Sequence, residues 1–389
     1  MIKNSVKLIS FFYRYMPTKN VRYARMAFNE KTGRFSIYKG TRVVKVSPLK
    51  PDMDIIRFAA KIIKRGGLVA FPTETVYGLG ADAFNSEAVM KVFEVKERPA
   101  DNPIIVHVSS KAQVRMLAKE VPEEAERLMD AFWPGPLTVV LRKVDELPGV
   151  VTAGLDTVAI RMPNHKVALA LIEEAETPIA APSANLAGKP SPTTAQHVID
   201  DLAGRIDMIL DAGPTHIGVE STVVDVTSSP PQILRPGGTP YEKIKEVLGE
   251  VKLHPVAVAD RPTSVAEARS PGMKHRHYAP NAQLIVVEGE INNVIAKILE
   301  IANSHLKEGK KVGILTTDET KDAYNVGIVK SLGSRRDLSS IARNLFKLLR
   351  EFDDEKVDII IAEGVPLKDL GLAVMNRLRK ASGFNIVKA

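Results

Sequence analysis

Four groups of polar residues between positions 71 and 238 carry the side chains best suited to chemistry. They are residues 71–80 (FPTETVYGLG), 96–103 (KERPADNP), 182–185 (PSAN) with 188–192 (GKPSP), and 218–222 (GVEST) with 234–238 (LRPGG). Each group lies next to a short apolar run, and α/β proteins usually place their ligand sites in such loops. We therefore expect one site built from all four.

The cations in and beside these loops suit an anionic ligand. Those that can hold phosphate or carboxylate oxygens are Lys96, Arg98, Arg161 and Arg235. Short hydroxyl and amide side chains accompany them: Ser183, Asn185, Ser191, Ser221 and Thr222. The sequence has no P-loop pattern, no Ser-His-Asp order and no histidine cluster with metal-ligand spacing. The chemistry indicated is positioning plus charge neutralisation, as in phosphoryl or nucleotidyl transfer.

Each of these signals also has an ordinary structural explanation. A Lys-x-Arg pair is usually a solvated surface feature, Ser-Ala-Asn is usually a turn, and His107 at the end of an apolar run is usually a satisfied, partly buried histidine. Their occurrence together, in a fixed order within one region of the chain, favours the functional interpretation.

Alternating strand and helix patterns must position these loops, which indicates an α/β layer architecture. The predicted strands are 68–71, 104–108, 137–141, 158–161, 179–181, 208–210, 222–226 and 233–234. The predicted helices are one that begins near Asp54 and ends at Gly66 and Gly67, followed by 86–95, 123–132, 166–175 and 194–202.

The last hundred residues form a second α/β unit. Its predicted strands are 284–287, 312–315, 326–329 and 357–362, and its clearest helix is 337–352, with Leu338, Ile341, Leu345, Leu348 and Phe352 on one face. This repetition favours a mostly parallel, Rossmann-like sheet. The first strand is not followed by Gly-x-Gly-x-x-Gly, so the sequence does not support dinucleotide binding.

Residues 250–283 interrupt the pattern with four prolines and the string SPGMKHRHYAP at 270–280, and we interpret them as a linker. The segment is either a passive spacer or a loop that visits the active site. The second interpretation is favoured because spacers rarely concentrate basic and aromatic residues such as Lys274, His275 and Tyr278.

The positive charge of the chain is local to one end. The net charge is +8, yet residues 1–50 contain twelve Lys or Arg against one acid, so the other 339 residues carry about −3. This basic extension is either a tRNA-facing or targeting segment or an over-extended start, with Met16 or Met26 as internal alternatives. The over-extended start is the interpretation we favour.

Composition excludes several classes of protein. With 44% hydrophobic and 26% charged residues the chain is an ordinary globular one. The absence of cysteine excludes disulfides, thiolate zinc sites, iron–sulfur clusters and thiol catalysis. No apolar run approaches the length of a membrane helix, and the apolar stretch 8–13 is too short for a convincing signal peptide. We expect a cytoplasmic protein without membrane contact.

The order of the motifs resembles that of the YrdC-like family. The resemblance runs from FPTETVYGL at residue 71, through Lys96-x-Arg98-Pro and FWPGPLT at 132–138, to Ser183-x-Asn185, STVVD at 221–225 and LRPG at 234–237. The strings 270–280 and GLAVMNRLRKA at 371–381 resemble the linker and C-terminal domain of the longer, two-domain branch. The resemblance spans residues 54–389.

Members of this family are L-threonylcarbamoyladenylate synthases, so the resemblance implies a nucleotidyltransferase. L-Threonine, bicarbonate and ATP would give threonylcarbamoyl-AMP and pyrophosphate. The product would supply the tRNA threonylcarbamoyl-transferase machinery that modifies the adenosine next to the anticodon. The implied fold is a YrdC-like twisted mixed sheet with helices over residues 51–249, plus a smaller C-terminal Rossmann-like α/β domain over 284–389.

The resemblance also implies roles for individual residues. The catalytic signature residues are Lys96, Arg98, Ser183 and Asn185. The positions implied to bind L-threonine are Thr75, His107, Arg161, Ala181 and Ser221, with Arg161 facing the substrate carboxylate. The positions implied to face ATP are Arg98, Asn102, Thr157, Ser183, Ser191, Arg235 and Tyr278, and Tyr278 would act as a lid that excludes water.

In the implied mechanism a threonine carbamate attacks the α-phosphorus of ATP, while Lys96 and Arg98 neutralise phosphate charge. Mg²⁺ is expected through phosphate oxygens, without protein ligands. Two alternative functions remain: the carbamoyl-adenylate domain of hydrogenase-maturation proteins, disfavoured by the absence of cysteine, and an RNA-binding module with weak tRNA contact. The C-terminal domain could be regulatory, oligomerising or a docking surface.

Overall fold

Two sheets organise residues 35–262 and 277–389, which are the residues that the computed structural model describes. The strands of the larger unit are β1 (Phe35–Tyr38), β2 (Thr41–Lys45), β3 (Val69–Phe71), β4 (Gly78–Asp82), β5 (Val106–His107), β6 (Leu137–Arg142), β7 (Thr157–Arg161), β8 (Ile179–Ala180), β9 (Met208–Asp211), β10 (Thr222–Asp225), β11 (Gln232–Arg235) and β12 (Lys252–Leu253). Its helices are α1 (Met53–Lys64), α2 (Ser86–Lys96), α3 (Glu123–Phe132), α4 (Gly149–Thr152), α5 (Lys166–Ala175), α6 (Ala195–Leu202), α7 (Tyr241–Leu248) and α8 (Pro255–Val258), with a 3₁₀ turn at Lys111–Met116.

These strands form one mixed sheet in the order β1-β2-β9-β3-β4-β8-β5-β7-β6-β10-β11-β12. Strands β5 and β7 are parallel neighbours whose last residues, His107 and Arg161, lie opposite each other. Helices α1 and α5 cover one face, where Ile56, Ile63 and Leu171 are buried. The prediction of an α/β fold with a mixed sheet is confirmed.

Helix α1 shows how local sequence defines an element. Ile56, Ala59, Ala60 and Ile63 recur at helical spacing and are all buried. The Asp52 carboxylate caps the N-terminus by accepting from the Asp54 amide at 3.1 Å. Gly66 lies just after the helix with φ +74°, a conformation that favours glycine, so the helix ends where the sequence predicts.

The prediction that residues 1–50 stand apart from the larger unit is wrong for residues 35–46. Strand β2 pairs in parallel with β9, and Val43, Val44 and Val46 are buried. Five residues with an irregular burial pattern give no periodic signal, so the sequence did not reveal this strand. Residues 1–34 of the predicted extension lie outside the described residues.

Other elements also differ from the sequence predictions. Strand β4 begins inside the predicted loop 71–80 and was not predicted, because the glycines of GLGAD weaken a strand signal. The predicted strand 104–108 is paired only at Val106–His107. The predicted linker 250–283 contains β12 and α8 in its first part, and residues 263–276 lie outside the described residues.

The C-terminal unit is a parallel sheet with helices on both faces. Its elements are β13 (Gln283–Glu288), α9 (Ile291–Lys307), β14 (Val312–Thr316), a 3₁₀ turn at Lys321–Ala323, β15 (Ile328–Ser331), α10 (Leu338–Asp354), β16 (Ile359–Glu363), α11 (Leu370–Ala381) and β17 (Ile386–Lys388). The strand order is β15-β14-β16-β13-β17, and every pair is parallel. The predicted Rossmann-like sheet is confirmed.

Helices α10 and α11 lie between this sheet and the larger unit. Residues 371–381 of α11 are all buried. The apolar cluster that these helices form also contains Val76 and Val219, from two of the polar loops of the larger unit. The C-terminal unit therefore packs directly against the candidate site. No helix of residues 35–262 or 277–389 is long and apolar enough to cross a membrane.

Thr41→Val is expected to destabilise the larger unit by about 1–3 kcal/mol. The Thr41 hydroxyl is buried, donates to the Ile206 carbonyl at 2.6 Å and accepts from the Gly204 amide at 2.8 Å. Urea unfolding followed by the fluorescence of Trp133, the single tryptophan, measures the change. Thr41→Ser keeps the hydroxyl and is the control. Equal midpoints for Thr41→Val and the wild type would contradict the assignment of this strand to the folded unit.

Candidate active site

The polar loops converge because backbone hydrogen bonds join them. The Tyr77 amide, in the loop between β3 and β4, donates to the Pro192 carbonyl at 2.9 Å. The Gly218 amide donates to the Thr75 carbonyl at 3.1 Å. The loops predicted to form one site, at 71–80, 182–192 and 218–222, are thus brought together.

Arg161 is the buried cation at the centre of the first half of the site. Its Nη1 donates to the Thr75 hydroxyl at 2.9 Å, and its Nε donates to the Gly135 carbonyl at 3.2 Å. His107 lies beside it at the end of the neighbouring strand. A guanidinium held in this way can present its remaining surface to a carboxylate.

Glu74 is the site residue that sequence reasoning missed. Its Oε1 lies 2.8 Å from Nη2 of Arg161, and the two side chains are only 7% and 4% exposed. Neither Glu74 oxygen accepts a hydrogen bond from a described residue. An acid between two threonines in the apolar string FPTETVYGLG was the available signal. The pocket therefore offers both charges that an α-amino acid requires, a buried cation and a buried carboxylate.

Ser221 and Ala181 complete this half. The Ser221 hydroxyl lies 2.8 Å from that of Thr138 and accepts from Nη2 of Arg235 at 3.2 Å. The Ala181 amide donates to the Ile105 carbonyl at 3.0 Å. Arg235 thus contacts a residue predicted to bind threonine although Arg235 itself is predicted to bind ATP.

His107 is held neutral in its buried position. Burial, and secondly the charge of Arg161, lower its pKa to about 3. Its ring packs edge-on against Phe71 with 6.1 Å between the ring centres. At neutral pH it can therefore offer an uncharged imidazole to a ligand.

The second half of the site joins the Lys-x-Arg and Ser-x-Asn motifs. Lys96 Nζ donates to the carbonyls of Ser183, at 2.5 Å, and Asn185. Burial, then the neighbouring charge of Arg98, holds the pKa of Lys96 well below its usual value. The Ser183 hydroxyl donates to Asn185 Oδ1 at 2.6 Å, so the two motifs form one network.

Arg98 and Asn102 contact each other in the loop between α2 and β5. Arg98 donates to the carbonyls of Asn102 and Pro103 at 3.0 and 3.2 Å. Burial lowers the pKa of Arg98 to about 10. The side-chain amide of Asn102 is buried, and neither of its polar atoms bonds to a described residue. A buried amide without a partner indicates a position that a ligand completes.

Tyr278 lies between the two units. It is buried with φ +66°, stacks on Phe346 of α10 with 5.4 Å between ring centres, and has the Arg377 guanidinium 5.5 Å from its ring centre. Arg235 hydrogen-bonds to its side chain. Of the linker residues singled out from the sequence, Lys274 and His275 lie outside the described residues.

Thr157 and Ser191 are the remaining residues that the resemblance places towards ATP. Thr157 begins β7 and Arg161 ends it, so the two lie about 13 Å apart along the strand. The structure does not bring Thr157 next to the Arg161 pocket. The Ser191 hydroxyl donates to Oε1 of Glu220 at 2.5 Å. Within the described ranges, no group of three or more His, Asp or Glu residues could hold a metal ion.

Two family models match the chain. One, described as telomere recombination and named for Sua5, YciO and YrdC, matches residues 61–237. The other, described as the C-terminal domain of threonylcarbamoyl-AMP synthase, matches residues 239–383.

Curated relatives and a solved structure resemble the chain over most of its length. The threonylcarbamoyl-AMP synthase of Pyrococcus abyssi is 57% identical over 86% of this chain and 95% of its own length. That of Bacillus subtilis is 50% identical over 85% of this chain and 93% of its own length. The crystal structure of P. abyssi Sua5 complexed with L-threonine has a TM-score of 0.85 and 55% identity, covering 89% of this chain and 99% of its own.

Acidification is expected to destabilise the protein in part through His107. Between its ordinary pKa of 6.5 and the folded value of about 3, only the unfolded chain binds the proton, so stability falls as the pH drops below 6.5. His107→Gln should reduce the loss of unfolding free energy between pH 7.5 and 5.0 by about 2 kcal/mol. Part of the pH dependence should remain, because burial lowers the pKa of His165 and His197 to about 4.

Urea unfolding at the two pH values, followed by Trp133 fluorescence, measures this effect. His305→Gln, in a partly exposed histidine of the C-terminal unit, is the control. The assignment fails if His107→Gln retains the full pH dependence of the wild type.

Proposed function

The chain belongs to the Sua5/YrdC family of threonylcarbamoyl-AMP synthases, and we infer that it joins L-threonine, bicarbonate and ATP into threonylcarbamoyl-AMP and pyrophosphate. The observation that carries this proposal is the adjacency of two groups of charged side chains, since Arg235 interacts electrostatically with both Arg161 and Arg98. One is the Arg161–Glu74 pair, suited to an amino acid, and the other contains Lys96 and Arg98, suited to phosphates.

For threonine, we propose that Arg161 holds the carboxylate and Glu74 faces the amino group. The relative of known structure from P. abyssi was crystallised with L-threonine, which supports this substrate. The Thr75 hydroxyl, neutral His107, the Ala181 backbone and the Ser221 hydroxyl surround the pair. Because Arg161 already contacts Glu74, an amino acid that carries both charges matches the pocket better than a simple carboxylate.

The reaction begins when the threonine ammonium loses a proton, and we propose that the buried Glu74 carboxylate accepts it. Bicarbonate takes up one proton and loses water to give CO₂. The amine nitrogen then bonds to the carbon of CO₂ and releases its second proton to water, which gives a carbamate. A carbamate oxygen attacks the α-phosphorus of ATP in line, and the bond to pyrophosphate breaks. The product is the mixed anhydride threonylcarbamoyl-AMP.

Lys96 and Arg98 supply preorganised positive charge for the phosphates. Burial lowers the pKa of both side chains. A phosphate beside Lys96 would raise the pKa of Lys96 again and hold it protonated. We propose that Asn102, Thr157, Ser191, Arg235 and Tyr278 complete the ATP side. Mg²⁺ would enter with ATP and neutralise phosphate charge, since the described residues offer it no carboxylate cluster.

The product hydrolyses readily, so it must pass quickly to a second enzyme. We propose that this is the machinery that transfers threonylcarbamoyl to tRNA, and that the protein works with it in the cytoplasm. Tyr278, closed over Arg235, would help to exclude water from the product.

The experiment that tests the function is ATP–pyrophosphate exchange with purified protein. Exchange should require both L-threonine and bicarbonate, because the carbamate is the nucleophile. Arg98→Ala should lower the rate about 100-fold or more by removing a phosphate contact. Exchange that ignores threonine, or near-normal exchange by Arg98→Ala, would overturn the substrate or the residue assignment respectively.

Glu74→Gln is expected to raise the KM for L-threonine about 10-fold to 100-fold while the KM for ATP changes little. The carboxamide cannot accept the ammonium proton and pairs more weakly with it. Initial rates of pyrophosphate release at varied threonine measure the effect, and Glu94→Gln, on the exposed side of α2, is the control. An unchanged threonine KM would remove Glu74 from the site.

A further inference from the structure

Residues 188–192 (GKPSP) follow the Ser-x-Asn motif and accept two hydrogen bonds from the C-terminal half of the chain. The Ala279 amide donates to the Gly188 carbonyl at 2.7 Å. Nη2 of Arg350, on α10, donates to the Pro190 carbonyl at 2.6 Å. The next residue, Ser191, is one of the positions proposed to face ATP.

Arg377, on α11, forms the second anchor. It is fully buried, its Nε lies 2.9 Å from Oε2 of Glu220, and its Nη1 donates to the Pro236 carbonyl at 2.6 Å. The other oxygen of Glu220 accepts from Ser191. The buried Glu220 carboxylate thus connects α11 to the Ser191 hydroxyl. Arg377 also holds Pro236, the residue after Arg235.

The electrostatics agree with this geometry. Burial alone would raise the pKa of Glu220, but Arg377 and Arg235 outweigh burial and hold it below its usual value. Burial alone would lower the pKa of Arg377, but the electrostatic influence of Glu220 and Tyr278 outweighs burial and raises it. Both partners are therefore charged at neutral pH, and removing either would take from the other the opposite charge that contacts it directly.

Arg350 repeats the arrangement on the other side of the loop. Its Nη2 lies 2.7 Å from Oδ2 of the buried Asp201, on α6, and Lys189 contacts the same carboxylate at 3.0 Å. Burial alone would raise the pKa of Asp201, but Arg350 and Lys189 outweigh it and the pKa is lowered. Two arginines of the C-terminal unit thus neutralise two buried acids that flank residues 188–192.

We propose that the C-terminal unit is a positioning element of the catalytic site, in which Arg350 and Arg377 set the place of residues 188–192 and of Arg235 for ATP. The inference rests on the proposed function, because it assumes that this side of the site binds ATP. Arg350 and Arg377 act through Pro190, Glu220 and Pro236 and do not themselves touch the reacting atoms.

A purely structural role makes a different prediction. If these ion pairs only joined the two units, their loss would lower the melting temperature without a selective effect on ATP. Arg379 is the matched comparison, because it lies on α11 beside Arg377 and pairs with Glu288 at 2.8 Å inside the C-terminal unit. The variant Arg379→Met would lose a comparable ion pair, although Arg379 does not contact residues 188–192.

The test measures the binding of α,β-methylene-ATP by titration calorimetry, with melting temperatures and steady-state rates for each variant. Arg350→Met and Arg377→Met should raise the Kd for the analogue and the KM for ATP about 10-fold to 100-fold, with a small change in the threonine KM. Arg377→Lys should recover part of the affinity because it restores the charge. Arg379→Met should lower the melting temperature without changing the Kd.

A double variant guards against loss of folding. Glu220→Gln with Arg377→Met removes both buried charges, so it should regain stability while ATP affinity stays low. Wild-type affinity in Arg350→Met and Arg377→Met, or an equal loss in Arg379→Met, would overturn the proposal. Failure of the proposed function can be distinguished from failure of this proposal, because the wild type itself would then show no threonine-dependent ATP–pyrophosphate exchange.

Discussion

The ion pair between Glu220 and Arg377 lies where the two units meet the site, and much of the architecture depends on it. Glu220 belongs to the larger unit, is buried, and shares its carboxylate between Ser191 and Arg377. Removing one partner from a buried pair typically costs about 3–5 kcal/mol, because the remaining charge has no water to solvate it. The larger unit therefore contains a buried acid that its own Arg235 and a helix from the C-terminal unit neutralise together.

Close backbone contact accompanies this charge compensation. At Gly218, φ is +85° and a Cβ atom would lie 2.4 Å from Cα of Arg343 on α10, so only glycine permits the approach. Val219 and Val76 join the apolar cluster of the C-terminal helices on the same side. The C-terminal unit, which anchors residues 188–192, thus also packs against the loops at 71–80 and 218–222.

The site places charge where the proposed reaction needs it. The Arg161–Glu74 pair suits an amino acid with two opposite charges, and Lys96 and Arg98 suit phosphates. Arg235 contacts both the Ser221 side and Tyr278, so it lies at the boundary between the two halves. Burial holds the pKa of Lys96 well below its usual value, so an anion that binds beside it would restore its charge.

Local sequence determined the elements with strong periodicity and the identity of most polar loops. Helices 123–132 and 166–175 occur where the amphipathic pattern predicts them, and the Lys-x-Arg and Ser-x-Asn motifs do meet. Strand β2, by contrast, is too short to show a pattern, and its burial depends on pairing with β9. The contacts of Glu74 with Arg161 and of Glu220 with Arg377 depend on residues 87 and 157 positions away. No local pattern encodes such pairs, because the free energy of a buried charge depends on what the tertiary structure brings beside it.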